Sequence, residues 1–116
     1  LPGVRFRPIQ FQPTFHKFAD CTCQGAFVHV TDRREFRPVL TSVAILQAAV
    51  DLCKDRFEWL DPPYEYEYVR MPIDILAGNG WLRPAIEGIE PLGQIAARME
   101  SEVSAFSGVR EASLLY

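Results

Sequence analysis

The sequence predicts an α+β domain, because two stretches alternate in the manner of β-strands and two others have the period of amphipathic helices. The chain has 116 residues, which is the length of one domain. Its composition, with 48% hydrophobic and 23% charged residues, is typical of globular domains. Strand-like and helix-like stretches follow one another without strict alternation. We therefore predict a single domain with one mixed β-sheet and two main helices, at about 41–54 and 91–107, packed on it.

The two best strand predictions lie in the first third of the chain. Residues 4–11 alternate between apolar and arginine side chains, and Pro8 confines such a strand to a sheet edge or a bulge. Residues 26–31 are rich in aromatic and β-branched residues and end at Asp32. Both stretches favour extended structure.

The two main helices are predicted from apolar residues spaced three and four apart. The stripe in 41–54 is wide, which indicates a mostly buried helix. In 91–107, Pro91 suits the first helical turn and Gly108 lies just past the last apolar residue.

Shorter elements are predicted between and after these helices. A short strand is expected at 57–60 and a second at 64–69, where three tyrosines share one face. A short helix at 81–87 ends at Gly88, and residues 114–116 suit a final strand.

Charge and hydropathy argue against nucleic acid as a partner and against a membrane span. Twelve basic and fifteen acidic residues give a net charge of −3, and the basic residues form only one local cluster, at 33–37. A nucleic-acid binder is usually basic, so nucleic-acid binding is disfavoured. The longest nearly apolar run, at 43–50, contains Gln47 and is too short to span a bilayer.

The cysteines give no sign of a disulfide framework or a metal site. The chain has three cysteines, an odd number, and Cys21 and Cys23 are separated by a single residue. The third is Cys53. Although His16 and His29 are also present, the spacing does not match that of zinc sites. We expect buried, unreactive thiols, no metal and no cofactor.

Five ordered blocks of sequence resemble those of one bacterial family. The blocks are PGVRFRPIQFQPTFHKF at the start, CQGAFVHVTDR at 23–33, FRPV at 36–39, MPIDILAG at 71–78 with Leu82-Arg83 after it, and LLY at 114–116. Together they cover nearly the whole chain and resemble the C-terminal domain of the NamZ-type exo-β-N-acetylmuramidases, which are glycoside hydrolases of peptidoglycan turnover. Ser42 stands where the family tends to have glycine.

This resemblance implies that residues 1–116 are one C-terminal domain of a longer protein, whose N-terminal Rossmann-like domain holds the catalytic carboxylate. The start of the chain, without methionine or a signal segment, agrees with that expectation. The expected role is accessory: the domain lines one wall of the substrate cleft and hydrolyses nothing alone. Its expected partners are its own N-terminal catalytic domain and a saccharide containing muramic acid. The alternative is a non-catalytic interaction or carbohydrate-binding module of a protein with another activity.

Two consequences follow for location and surface. A cell-wall substrate favours an extracytoplasmic or periplasmic location, with cytoplasmic recycling as the alternative. A domain that packs against a partner should expose an apolar patch. The candidates are Phe11, Phe15, Phe18 and the tyrosine face at 64–69.

The first candidate substrate-binding residues are His29, Asp32 and Arg33, because the end of a strand presents the last two at the sheet edge. Asp32 or His29 can accept hydrogen bonds from sugar hydroxyls. Arg33 can bind the lactyl carboxylate of muramic acid through two parallel hydrogen bonds. The alternative is that Asp32 caps a turn and His29 lies in the core.

Further candidates lie in two other segments. Asp74, between Pro72 and Gly78, reaches the substrate or caps a helix as its N-cap residue. Thr14 and Phe15 offer a hydroxyl beside an aromatic ring that can stack on a sugar, unless Phe15 is a core residue.

One pair of carboxylates has a spacing of interest for glycosidase chemistry. On a strand, Glu65 and Glu67 would share a face with carboxyls roughly 6–7 Å apart. A solvated edge strand is the favoured interpretation.

Overall fold

The computed structural model describes residues Leu1–Leu115 and confirms the α+β class. The chain divides into two compact units, one from Leu1 to Thr41 and the other from Ser42 onward, and each is described by itself. Leu114 and Leu115 form no strand; the third residue of the predicted final strand, Tyr116, lies outside the described residues.

The first unit contains a two-stranded antiparallel sheet. Strand β1, Val4–Phe11, pairs with strand β2, Cys23–Val30, and the register aligns Val4 with Val30 and Phe11 with Cys23. Both predicted strands are confirmed, and the second begins three residues earlier than predicted. Among the described residues the sheet is an antiparallel pair instead of a mixed sheet. Each strand is therefore an edge, where Pro8 is tolerated without its N–H.

The register sorts the side chains of the hairpin onto two faces. On one face Phe6 lies opposite Val28, next to the buried Val4. On the other face Arg7 lies opposite Phe27, and the neighbouring pair on that face is Arg5 with His29. One face is thus apolar and the other is cationic and aromatic.

A glycine joins the start of β1 to the turn that follows β2. Gly3 has a φ of 70°, and its carbonyl accepts hydrogen bonds from the N–H groups of Thr31 at 2.9 Å and Asp32 at 3.3 Å. A Cβ at this position would lie 2.5 Å from the Asp32 carbonyl oxygen and 2.6 Å from the Phe36 nitrogen. Only glycine fits this close approach.

Four α-helices follow the hairpin. Their bounds are α1 Pro38–Cys53, α2 Pro72–Ala77, α3 Leu82–Glu87 and α4 Leu92–Glu111, and a 3₁₀ helix Lys54–Arg56 extends α1. The two main helices and the short helix ending before Gly88 are confirmed. Gly108 lies inside α4, so the predicted end of that helix was four residues early. None of these helices is both long and apolar enough to cross a membrane.

The buried core of the second unit lies among three helices. Val43 of α1 packs with Leu82, Ala85 and Ile86 of α3 and with Ile95 of α4. Ile86 is fully buried. One buried polar side chain, Gln47 of α1, is satisfied because its amide donates to the Glu90 carbonyl at 2.8 Å.

The strands predicted at 57–60 and 64–69 were wrong. Trp59 lies in an irregular segment and packs against the helical core. Tyr64 and Glu67 exchange backbone hydrogen bonds of 2.9 and 3.0 Å across a tight turn, which reverses the chain. The Glu67 carboxylate also takes the N–H groups of Val69 and Arg70, so these donors are not available to a strand ladder.

Candidate functional site

The turn after β2 holds two of the predicted site residues. The Asp32 Oδ1 accepts the Arg34 N–H at 2.8 Å, and the Asp32 carbonyl accepts the Phe36 N–H at 3.0 Å. The turn-capping alternative for Asp32 is therefore confirmed. Within residues 1–115, the exposed Arg33 side chain makes no hydrogen bond or ion pair. Arg33 is an unengaged guanidinium on a turn whose backbone is held in place.

His29 is exposed on the cationic face of the hairpin, so the core alternative for it was wrong. Its Nε2 lies 3.4 Å from the Arg7 Nε, and its ring contacts that of Phe27 with centroids 4.7 Å apart. The Arg7 guanidinium in turn lies 5.6 Å from the centre of the Phe27 ring. The face presents imidazole, guanidinium and aromatic groups together.

Thr14 and Phe15 are exposed in the loop between β1 and β2. Phe15 is 71% exposed and meets His16 edge to face at 5.0 Å, so the core alternative for it was wrong. His16, Phe18 and Asp20 all have φ near 60°, a conformation that costs free energy for residues other than glycine. The loop thus displays aromatic rings on a strained backbone.

The hairpin separates these two groups of candidates. Thr14 and Phe15 follow the end of β1, whereas Asp32 and Arg33 follow the opposite end of the sheet at the end of β2. Eight-residue strands place the two ends roughly 23 Å apart. Asp74 belongs to the second unit.

Asp74 belongs to an ion-pair network in the second unit that is centred on Arg83. The Arg83 Nε donates to Asp74 Oδ1 at 3.1 Å, and its Nη2 donates to Oδ2 at 3.3 Å. The Arg83 Nη1 also meets Glu87 Oε1 at 3.3 Å, and the same oxygen accepts the Trp59 indole N–H at 2.8 Å. Hydrogen bonding to Asp74 raises the pKa of Arg83. The network joins α2 to α3.

The N-cap alternative for Asp74 was wrong. Met71 is the N-cap residue of α2, and Asp74 is the third residue of the helix. Its carboxylate is directed to Arg83 of α3 instead of to the backbone of its own helix.

Glu67 is held as an anion. It accepts the Val69 N–H at 2.9 Å, and its Oε2 lies 2.9 Å from the Arg70 Nε. These interactions, with the Val69 hydrogen bond first, lower its pKa to about 2. Glu65 lies in the turn with a φ of 52°, so the two carboxyls do not share a strand face. A group with this pKa cannot serve as a general acid near neutral pH.

A cavity of about 370 Å³ opens beside this network. Its lining residues are Arg70, Asp74, Ile75, Gly78, Asn79 and Gly80. Asn79 shapes its wall, because its Oδ1 accepts the N–H groups of Trp81 and Leu82 at the start of α3. Its amide group donates to the Ala77 carbonyl at 3.1 Å. The side chain of Asn79 therefore holds the backbone of the cavity wall in place.

Sequence reasoning missed two residues of this site, Arg70 and Arg83. Arg83 lies in one of the family-like blocks, nine residues after Asp74, and Arg70 lies four residues before Asp74. The missed signal was this spacing of arginines around a carboxylate flanked by Pro72 and Gly78.

The cysteines differ from expectation in exposure. All three are free thiols; Cys21 and Cys53 are exposed and Cys23 is partly buried, so the expectation of buried thiols was wrong. Among residues 1–115 no cluster of three or more His, Cys, Asp or Glu side chains could hold a metal ion.

Comparison with known proteins assigns the family. Residues 1–116 match the family described as exo-beta-N-acetylmuramidase NamZ, C-terminal, and the chain belongs to that family. Over 116 residues the chain is 36% identical to the peptidoglycan beta-N-acetylmuramidase NamZ of Bacillus subtilis strain 168. All of this chain but only 26% of that relative is covered, so the chain spans about a quarter of its length.

One solved structure is also similar over part of the chain. It is the crystal structure of a DUF1343 family protein from Bacteroides fragilis, with 30% identity and a TM-score of 0.46. The match covers 48% of this chain and 15% of that one.

Proposed function

We propose that this chain is the accessory domain of a peptidoglycan-degrading exo-β-N-acetylmuramidase. It recognises the saccharide, while a separate N-terminal catalytic domain performs the hydrolysis. Family membership over the whole chain supports this proposal, together with the length of the Bacillus subtilis relative.

One observation supports an accessory role over a catalytic one. Two acidic side chains at or next to the cavity are engaged by arginines: Asp74, which lines it, by Arg83, and Glu67 by the cavity residue Arg70. A glycosidase needs one carboxyl that carries a proton near neutral pH and a second positioned across the scissile bond. Glu67, whose pKa is lowered to about 2, cannot supply that proton, and both carboxylates are held in ion pairs with arginines.

Two preparations test the division of labour. The 116-residue chain alone and the full-length protein that contains it are assayed on a chromogenic muramide. We expect turnover only by the full-length protein. Turnover by the chain alone would contradict the accessory role, and absence of turnover by the full-length protein would favour a binding module with another activity.

Arg33 gives a sharper test of saccharide recognition in the full-length protein. Because the Arg33 guanidinium has no partner among the described residues, Arg33→Ala should leave the melting temperature unchanged. Loss of its contact with the saccharide should lower kcat/KM. Loss of one charge-assisted hydrogen bond corresponds to roughly a 10- to 150-fold effect. Arg34→Ala is the matched control, because within residues 1–115 the turn uses only the backbone N–H of Arg34. Equal effects of the two variants would remove Arg33 from the site.

A further inference from the structure

We propose that the cavity beside α2 is a subsite for an acidic sugar, and that Arg70 binds the carboxylate of that sugar. The inference rests on the proposed function, since muramic acid is a sugar with a carboxylate on its lactyl group. It assigns to Arg70 the contact with the lactyl carboxylate that the sequence predicted for Arg33, and it adds a position that the sequence did not indicate.

The guanidinium of Arg70 has one edge occupied and one edge available. Its Nε donates to Glu67 Oε2 at 2.9 Å, whereas Nη1 and Nη2 have no hydrogen-bond partner among the described residues. The edge formed by two terminal nitrogens matches the two oxygens of a carboxylate. The 2.9 Å hydrogen bond to Glu67 holds Arg70 in this orientation, and Glu67, with its pKa lowered to about 2, is ionised at physiological pH.

The cavity wall carries one positive and one negative group, so it favours a ligand that has hydrogen-bond donors as well as a negative charge. Arg70 and Asp74 line the same cavity, so a simple anion is attracted by one and repelled by the other. Each oxygen of Asp74 has further acceptor capacity beyond its bonds to Arg83. A ligand that suits both groups has a carboxylate and, a few ångströms away, hydroxyl donors. An acidic sugar has this combination.

The glycines of the wall leave room for such a ligand. Gly78 has a φ of 72° at the end of α2, so its backbone conformation explains why it is glycine. Gly80 does not have a left-handed φ, and a Cβ built there meets nothing within 4 Å. Among the described residues, neither conformation nor packing requires glycine at 80. The open space beside the Gly80 backbone gives a ligand room to approach it closely.

The test is an NMR titration of the isotope-labelled 116-residue chain with N-acetylmuramic acid and, separately, with N-acetylglucosamine, which lacks the lactyl carboxylate. We expect the first sugar to shift the Gly78 and Gly80 amides and the Arg70 Nε signal, and the second to bind at least about 10-fold more weakly. Equal binding of both sugars, or no shift with either, would overturn the proposal.

Two variants locate the site. Arg70→Ala should weaken N-acetylmuramic acid binding by roughly 10-fold or more, and Gly80→Leu should abolish it by filling the cavity. Gly93→Leu is the matched control, because a Cβ at Gly93 also meets nothing within 4 Å and Gly93 does not line the cavity. Undiminished binding by Arg70→Ala or Gly80→Leu would overturn the assignment. Muramide turnover that depends on Arg33 while this titration fails would refute the subsite alone.

Discussion

Glu67 shows how one side chain can decide the structure of a short segment. A carboxylate that accepts two backbone N–H groups and one arginine stabilises a turn where alternation of tyrosine and glutamate predicted a strand. The predictable part was that Asp32 could cap a turn, because aspartate does so locally. Glutamate is not a typical turn-capping residue, and the alternation of tyrosine and glutamate contains no information about the bonds of Glu67 to the N–H groups two and three residues ahead.

The pH dependence of stability should report on Glu67. Folding lowers its pKa from 4.5 to about 2, so its ionised form stabilises the folded state above pH 4.5. That stabilisation is lost as the pH falls from 4.5 towards 2. Glu67→Gln should therefore lower the urea midpoint at pH 7, and the difference from wild type should vanish near pH 2.

Glu65→Gln is the control for that measurement, because the Glu65 carboxyl makes no hydrogen bond or ion pair in the described part of the chain. It should leave the urea midpoint at pH 7 unchanged. Parallel curves for wild type and Glu67→Gln across this window would contradict the role given to Glu67.

The half-buried ion pair between Asp74 and Arg83 should contribute measurably to stability. Asp74→Asn removes a charge-assisted pair and should cost about 1.5–3 kcal/mol of unfolding free energy in urea titrations. The exposed pair of Arg98 and Glu102, 3.9 Å apart, serves for comparison. Glu102→Gln should cost less than about 1 kcal/mol; similar losses for both would mean that burial of the first pair adds nothing.

Among the elements, the long helices and the hairpin strands were predictable, because their apolar residues repeat over many positions. The irregular segments were not. Residues 57–69 contain aromatic residues that suit a strand, yet Trp59 packs on the helical core and its indole N–H binds Glu87, 28 positions later in the chain. Such distant partners override local β-propensity.

Two glycines in different elements should respond oppositely to alanine. Gly3→Ala places a Cβ within 2.6 Å of two backbone atoms at a φ of 70°, so it should destabilise the chain by more than about 1 kcal/mol. Gly108→Ala lies inside α4, where a Cβ meets nothing, and should stabilise by about 0.5–1 kcal/mol. Thermal unfolding measures both; the same sign for the two would be inconsistent with this structure.

The helical core should depend strongly on α3. Ile86 is fully buried among α1, α3 and α4, so Ile86→Ala should lower the unfolding free energy by about 2–5 kcal/mol in urea. Ile45→Ala, on the exposed side of α1, should cost clearly less. A small effect at Ile86 would mean that the packing around α3 is looser than described.

At the scale of the whole molecule, many large apolar side chains are exposed in both units. The large aromatic side chains exposed to solvent include Phe6, Phe11, Phe15, Phe18, Phe27, Tyr66 and Tyr68. Phe11, Phe15, Phe18 and two of the three tyrosines of 64–69 were predicted on the surface, and Tyr64 is partly buried. That a partner domain covers them is an expectation from the family resemblance, since composition does not identify a partner.

The proposed function predicts that part of this surface is covered in a longer protein. Hydroxyl-radical footprinting should modify Phe15 (71% exposed) and Tyr66 (93% exposed) rapidly in the isolated chain. At least one of the two should be protected several-fold in the full-length protein, because packing against a catalytic domain excludes solvent. Identical modification of both residues in the two proteins would argue against a docked arrangement.

The glycine junction at the base of the hairpin also has a mechanical consequence. Because Val4 pairs with Val30, the chain enters β1 and leaves β2 at the same end of the sheet. A force that separates Leu1 from Arg37 therefore loads the hydrogen bonds one rung at a time, starting with the two accepted by the Gly3 carbonyl. The hairpin would open like a zip at low force instead of resisting in shear, and the Gly3 junction is the first resistance that tension meets.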